Sequence, residues 1–466
     1  MTDRYAVIWT RTAAGPLKMG NLVATTRENR FTYTDEFLES GNAAGLSLLA
    51  GPQLFGRQPV VHQTSERMPL HPRLLALTPG EAPGNIQRRV YANLLAKRRP
   101  PPAPGFETEW EILMLAGHNG IGHLDVFRDD RDALQRYANP PPTDLLTGQR
   151  SDLWGFIRNE VRQTAIEESA AVIAELLGPT PSVGGMTPKL LAAIPDTPEW
   201  AGAFAAPGAR PTDDSRYVDV VLKIESPGYE GVAALEALCL DIHSELGFEV
   251  PRYWRAEVDG MRLLAVERFD RTPEGLPVPM ESFLSVMASG SRNIQGTQDT
   301  DMRSVGAMLD KLATVVNLKP RATQEQVFRR FCLAFFTGNG DLHLENLSFL
   351  GGPDDVRLAP VYDPAPMRAW SRHNLRSAIP IVFDDDLGGL GDNLAALGPA
   401  FGMTRNDAAE LLLDTMGKTR DYTARVMALN DVPRERRQAL VDLLEKERQV
   451  IDGSLTRATK QTPLPR

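Results

Sequence analysis

The sequence predicts an α+β protein of more than one lobe, on three observations. Alternating and β-branched segments crowd the first 270 residues, whereas amphipathic helical spacing takes over beyond residue 300. Two proline runs, Pro100-Pro101-Pro102 and Pro140-Pro141-Pro142, punctuate the strand-rich part. The chain has 466 residues, more than one hydrophobic core usually fills. The expected organisation is an N-terminal module over 1–140 and a β-rich lobe over 150–300. An all-α lobe over 301–452 and a disordered tail over 453–466 complete it.

The elements follow in order. Tyr5–Trp9, Gly20–Ala24 and Arg30–Thr34 have the composition and alternation of half-buried strands. Pro72–Lys97 turns helical, and Arg88, Arg89, Lys97, Arg98 and Arg99 make the stretch basic, as either a solvated helix face or a contact for DNA phosphates or an acidic partner. Trp110–Gly117 suits a short helix that ends in the turn Gly117-His118-Asn119-Gly120. Residues 152–177 have apolar positions at helical spacing. Tyr217–Ile224 is a strong strand, Ala233–Leu246 a helix, and Trp254–Arg271 a hairpin around Asp259-Gly260. Helices are expected over Ser304–Val316, Gln324–Phe336, 405–428 and 432–451.

Composition narrows the class. Hydrophobic content of 42% and charged content of 24% are those of a folded globular protein. A net charge of −9 argues against a protein that grips nucleic acid over its whole surface. The two cysteines, Cys239 and Cys332, sit in apolar helical patterns and read as buried thiols. No run of about 18 apolar residues occurs and the N-terminus lacks the apolar core of a signal peptide, so no membrane partner and a cytoplasmic location are expected.

The chemistry concentrates in Gly338–Asp363. Asp341, an Asn five positions on at Asn346, and Asp363 after a hairpin-length gap form a phosphotransferase pattern. Asp341 can accept the proton of an attacking hydroxyl. Asn346 and Asp363 offer the oxygen ligands that magnesium requires. Upstream, Ser182-Val183-Gly184-Gly185 precedes Lys189, a loop that suits phosphates because backbone N–H groups approach an anion where no Cβ intervenes. Lys223 lies amid β-branched neighbours in its strand, and Glu236 on the following helix is its natural partner. The hairpin ends in a charged segment where a hinge would present backbone groups to adenine, with Asp270 able to reach the ribose; a strand end with surface ion pairs accounts for it equally. A glycine loop, strand lysine, helix glutamate, hinge and Asp…Asn…Asp set occur in the order of a two-lobed protein kinase.

Four stretches resemble the HipA family of bacterial serine/threonine kinase toxins: Ser182–Lys189, Val266–Arg271, Asp341–Asn346 and Pro360–Asp363. Tyr33–Leu49 and Leu113–Gly122 resemble that family's N-terminal module, so the similarity spans roughly residues 5–445. The resemblance implies a β-rich N-terminal lobe with an extra N-terminal module and an all-α C-terminal lobe. It implies an ATP- and Mg2+-dependent kinase that phosphorylates a host protein, in the known cases an aminoacyl-tRNA synthetase. It also implies a small HipB-like helix-turn-helix antitoxin, with DNA bound mainly through that antitoxin. Carried over by motif, Asp341 is the catalytic base, and Asn346 and Asp363 hold magnesium. Lys223 meets the nucleotide phosphates, Glu267 and Phe269 meet adenine, and Ser182 is the autophosphorylated serine. Gly184, Gly185, Lys189, Asp270 and His343 fall among the nucleotide-site positions. Departures from the family pattern occur at Thr187, where Gln is common, and at His123, where Ala is usual.

Two other readings stay open. Gly-Asp-Leu-His-x-x-Asn also serves small-molecule phosphotransferases, because the hydroxyl acceptor is chosen outside the motif. A non-catalytic corepressor subunit bound to a DNA-binding antitoxin is the third reading.

Overall fold

The structure, a computed structural model, describes residues 3–81, 85–139, 141, 143–145, 188–212 and 215–461. The expected helix over 152–177 and the glycine loop with Ser182, Gly184 and Gly185 lie outside the described residues.

The chain divides into two compact units, neither contiguous in sequence. The first comprises Met1–Gly228, Pro251–Gln295 and Ser348–Ala359; the second comprises Tyr229–Val250, Gly296–Leu347 and Pro360–Arg466. Among the described residues every named strand belongs to the first unit, and the named elements of the second are all helical. This is the α+β class that the periodicities predict.

In the first unit, strands β1 (Arg4–Thr12), β2 (Gly15–Ala24), β3 (Glu28–Tyr33), β4 (Val60–Gln63) and β5 (Asp125–Phe127) form one sheet in the order β4-β3-β2-β1-β5. Its buried side packs Ile8, Leu22, Phe31 and Val126 against Phe37, Leu74, Trp110 and Leu113. The helix in this core is Phe106–Ala116, four residues longer at its start than the sequence predicts. A second sheet joins β6 (Lys189–Pro195), β7 (Tyr217–Ile224), β8 (Tyr253–Val258) and β9 (Met261–Glu267) in the order β6-β7-β9-β8. Strand β7 has the predicted limits. The β8–β9 hairpin turns through Asp259 and Gly260 at φ 51° and 73°, the two left-handed residues that a tight hairpin of this twist needs.

The helical prediction over Pro72–Lys97 resolves into a short turn at Pro72–Leu75 and the helix Ile86–Ala96. The basic stretch is partly internal: Arg88 pairs with the buried Glu109 and with Glu81, and Arg98 pairs with Glu111.

The second unit gathers the helices Val232–Glu245, Pro320–Thr337 and Arg434–Gln461 around Leu235, Cys239, Leu333, Tyr422, Leu440 and Leu444. Both cysteines are buried, reduced thiols. Domain limits read along the chain differ from these units: the expected N-terminal module and β-rich lobe share the first unit. The helix Val232–Glu245 groups with the second unit, and β11 (Ser348–Leu350) returns to the first by pairing with β10 (Met280–Ser282). The final helix runs to Gln461, well into the stretch expected as a tail; Gly453 alone does not stop it.

Candidate active site

Within the second unit the motif is a tightly cross-linked loop. The helix Pro320–Thr337 ends at Gly338, whose φ of 81° gives the left-handed cap that only glycine adopts cheaply. The Gly338 N–H donates to the Ala334 carbonyl at 3.0 Å. Asn339 is buried, and its Oδ1 accepts the Asp341 N–H at 3.0 Å, fixing the backbone of the candidate base. Gly340 has no room for a side chain, because a Cβ there would run into the Leu375 carbonyl.

The Asp341 carbonyl accepts two hydrogen bonds, from the His343 N–H at 2.8 Å and from Asn346 Nδ2 at 2.9 Å. The Asn346 N–H donates to the His343 carbonyl at 2.9 Å, and His343 Nδ1 accepts from the Glu345 N–H at 3.2 Å. Asp341 and Asn346 are thus brought together, with the Asp341 side chain half-buried and Asn346 buried. Because the Asn346 amide nitrogen is engaged, its oxygen is the end left for a cation.

The extended segment before Asp363 is tied to the same loop. Tyr362 OH donates to the Glu345 carbonyl at 2.6 Å, and the Val361 N–H donates to the Glu249 carbonyl at 2.8 Å. Asp363 itself sits at φ 54°, a left-handed conformation rare for a residue with a Cβ and concentrated at functional sites. One amide oxygen and one carboxylate are what magnesium commonly takes from a protein when phosphates supply other ligands. Among the described residues no group of three or more His, Cys, Asp or Glu forms a self-sufficient metal cage.

Sequence reasoning missed a neighbouring cluster. Tyr229 OH lies 2.6 Å from His373 Nε2, and the Arg372 guanidinium stacks 3.9 Å from the centre of the Tyr229 ring. Burial raises the Tyr229 phenol pKa, Arg372 opposes that shift and the Asp341 charge adds to it. Burial and Arg372 lower the His373 pKa, against Asp341. Tyr229 and His373 lie 144 positions apart, so no local pattern signals them. Asn339 was legible, as an Asx residue between two glycines directly before the aspartate.

In the first unit, Lys189 and Lys223 are direct cross-strand partners on β6 and β7. Both are buried, at 8% and 6% exposure. Leu190, Ala192, Leu222 and Ala265 face the core of this sheet. The register places both lysines on the other face with Leu191, Val221, Leu264 and Val266. Like charges directly opposite destabilise a strand pair, so this pairing depends on the groups around the two ammoniums. Glu236 is 2% exposed on the helix Val232–Glu245 of the second unit.

The segment Glu267–Arg271 shows a different logic from the expected one. Glu267 donates its N–H to the Arg252 carbonyl at 2.9 Å, and its carboxylate pairs with Arg252. Asp270, expected at a ribose, is 2% exposed and fully engaged. Its oxygens accept from Arg268 at 2.9 and 2.8 Å, from Arg271 at 3.0 Å and from the Gly122 N–H at 2.7 Å. Arg268 and Arg271 each donate to the Gly120 carbonyl at 2.6 Å. The alternating charges therefore lock the hinge to the Gly120–Gly122 loop, and Asp270 is corrected to a structural role. Burial would raise its pKa, but the two guanidiniums hold the carboxyl well below the usual range. His123 is interior too, with Nε2 2.9 Å from the Gly45 carbonyl.

The chain is similar to several known proteins. A Haemophilus influenzae protein named "Putative kinase" is 23% identical over 257 residues, covering 48% of this chain and 75% of that protein. "Putative kinase Y4dM" of Sinorhizobium fredii is 28% identical over 182 residues, covering 36% of this chain and 40% of that protein. Among solved structures, the HipA toxin of Shewanella oneidensis, in a complex with HipB and operator DNA, matches with a TM-score of 0.61. That match has 18% identity and covers 96% of this chain and 98% of that one, a likeness of fold. The sequence pattern described as the HipA-like C-terminal domain matches residues 181–422, more than half of the chain. The chain belongs to the family of the HipA-like C-terminal domain.

Proposed function

We propose that this chain is an ATP-dependent serine/threonine protein kinase, the toxin of a toxin–antitoxin pair that acts on a host protein. The observation that carries the reading is the loop joining Asp341, Asn346 and the strained Asp363. In this reading Asp341 accepts the proton of the attacking hydroxyl, its backbone held by Asn339. Asn346 and Asp363 hold magnesium, which when bound neutralises charge on the nucleotide phosphates. Lys223 and Lys189 bind those phosphates from the β6–β7 face, Glu236 orients Lys223, and the backbones of Glu267 and Phe269 flank adenine. His343 shapes the loop through its Nδ1. A helix-turn-helix antitoxin like HipB is the expected partner, with DNA bound mainly through it. Phosphate on Ser182 would add about two negative charges beside the ATP site and shut the enzyme off.

The test is incubation with γ-labelled ATP, magnesium and a cell lysate. A labelled protein band is expected with the native chain. It should fall about 10²–10⁴-fold with Asp341→Asn and disappear with Ser182→Asp. Label confined to small molecules would replace this reading with a small-molecule phosphotransferase, and no transfer with a correctly folded chain would reject both.

A further inference from the structure

The first unit contains a second polar site, remote in sequence from the residues proposed for catalysis. A cavity of about 220 Å³, roughly the room of seven waters, lies at the edge of the five-stranded sheet where β1 pairs with β5. Arg11, His118, Asn119, Asp125, Arg136 and Tyr137 line it. Asp125 organises the site: its Oδ1 accepts the Asn119 N–H at 2.6 Å and its Oδ2 accepts Tyr137 OH at 2.8 Å. Arg11 Nε stands 3.8 Å from the same carboxylate, and the Arg11 guanidinium donates to Asn119 Oδ1 at 3.3 Å. Asn119 is held in the left-handed region at φ 55°. The His118 ring stacks on Phe127, with centroids 5.2 Å apart.

Two groups in this cavity stand out. The Arg136 guanidinium is partly buried, yet among the described residues it makes no hydrogen bond or ion pair. The His118 Nδ1 is buried and, among the described residues, has no hydrogen-bond partner. Burial of an unpaired cation and an unsatisfied ring nitrogen costs free energy that a bound acceptor would offset. Burial lowers the pKa of both, and Arg11 lowers that of Arg136 further while Asp125 opposes it. Two guanidiniums face one carboxylate whose oxygens are already occupied, so the cavity carries surplus positive charge.

We infer that this cavity binds a small oxyanion, a phosphate or carboxylate group, gripped by Arg136 and Arg11 with His118 Nδ1 as a further contact. Guanidinium groups favour such planar or multidentate partners. The site does not depend on the kinase reading, and its test leaves the catalytic loop intact.

The experiment is titration of the full chain with inorganic phosphate, and separately with acetate. It is followed by the NMR signals of the His118 imidazole and by calorimetry. A saturable shift of the His118 signals is expected with at least one anion, phosphate pointing to a phosphorylated ligand and acetate to a carboxylate. Arg136→Met should weaken affinity about tenfold or more, the loss of one charged hydrogen bond. Arg136→Lys should retain part of the affinity, and Arg131→Gln, exposed on the same helix, should leave it unchanged. Absence of saturation with both anions would overturn the inference. So would equal affinity in the native chain and a folded Arg136→Met variant.

Discussion

At the scale of single residues, the backbone of Asp363 is the most informative feature. A left-handed φ costs a residue with a Cβ about 1–2 kcal/mol, and aspartate and asparagine tolerate it best. In the proposed function that strain is the cost of placing the carboxylate for magnesium. Asp363→Asn is therefore expected to keep its thermal midpoint and lose magnesium-dependent activity. Asp363→Val should lose activity and a further 1–2 kcal/mol or so of stability, as its branched Cβ is least at ease there. Calorimetric unfolding alongside the transfer assay separates the two effects, and an active Asp363→Asn variant would remove the metal role. The pairing of Asp341 with Asn346 was legible because the two lie five positions apart in one loop. Tyr229, Arg372 and His373 were not, because packing of the second unit rather than chain proximity assembles them.

At the scale of elements, strand β7 and the β8–β9 hairpin follow directly from β-branched runs and an Asp-Gly turn. The part that misled was Glu267–Arg271. A strand end rich in charge looks like a surface or a ligand contact, and nothing local shows that Arg268, Asp270 and Arg271 bury together against Gly120 and Gly122. Removing one charge from such a cluster leaves buried guanidiniums uncompensated. Asp270→Asn should destabilise the chain by about 3–5 kcal/mol, measured by urea unfolding. A loss below about 1 kcal/mol would mean that the cluster is solvated.

At the scale of the whole molecule, both units bury neutral histidines. Burial depresses His71 and His123 to about 3 and His243 to about 4, whereas the unfolded chain titrates near 6.5. Between those values the unfolded state binds protons first. The stability associated with these groups is complete above about pH 6.5 and declines as pH falls toward 4. Each contributes a slope of about 1.4 kcal/mol per pH unit. Urea midpoints should therefore drop markedly from pH 7 to pH 5, and an unchanged midpoint would show that these rings are not buried as neutral groups.

Under the proposed function, Lys223 and Asp363 serve the same bound nucleotide. A double-mutant cycle on Mg2+–ATP binding tests this claim most directly, using Lys223→Met, Asp363→Asn and the double variant in titration calorimetry. Residues that act on one bound nucleotide couple, so the two losses should differ from additivity by about 0.5–3 kcal/mol. Strictly additive losses, or a native chain that binds no ATP in the presence of magnesium, would contradict the account.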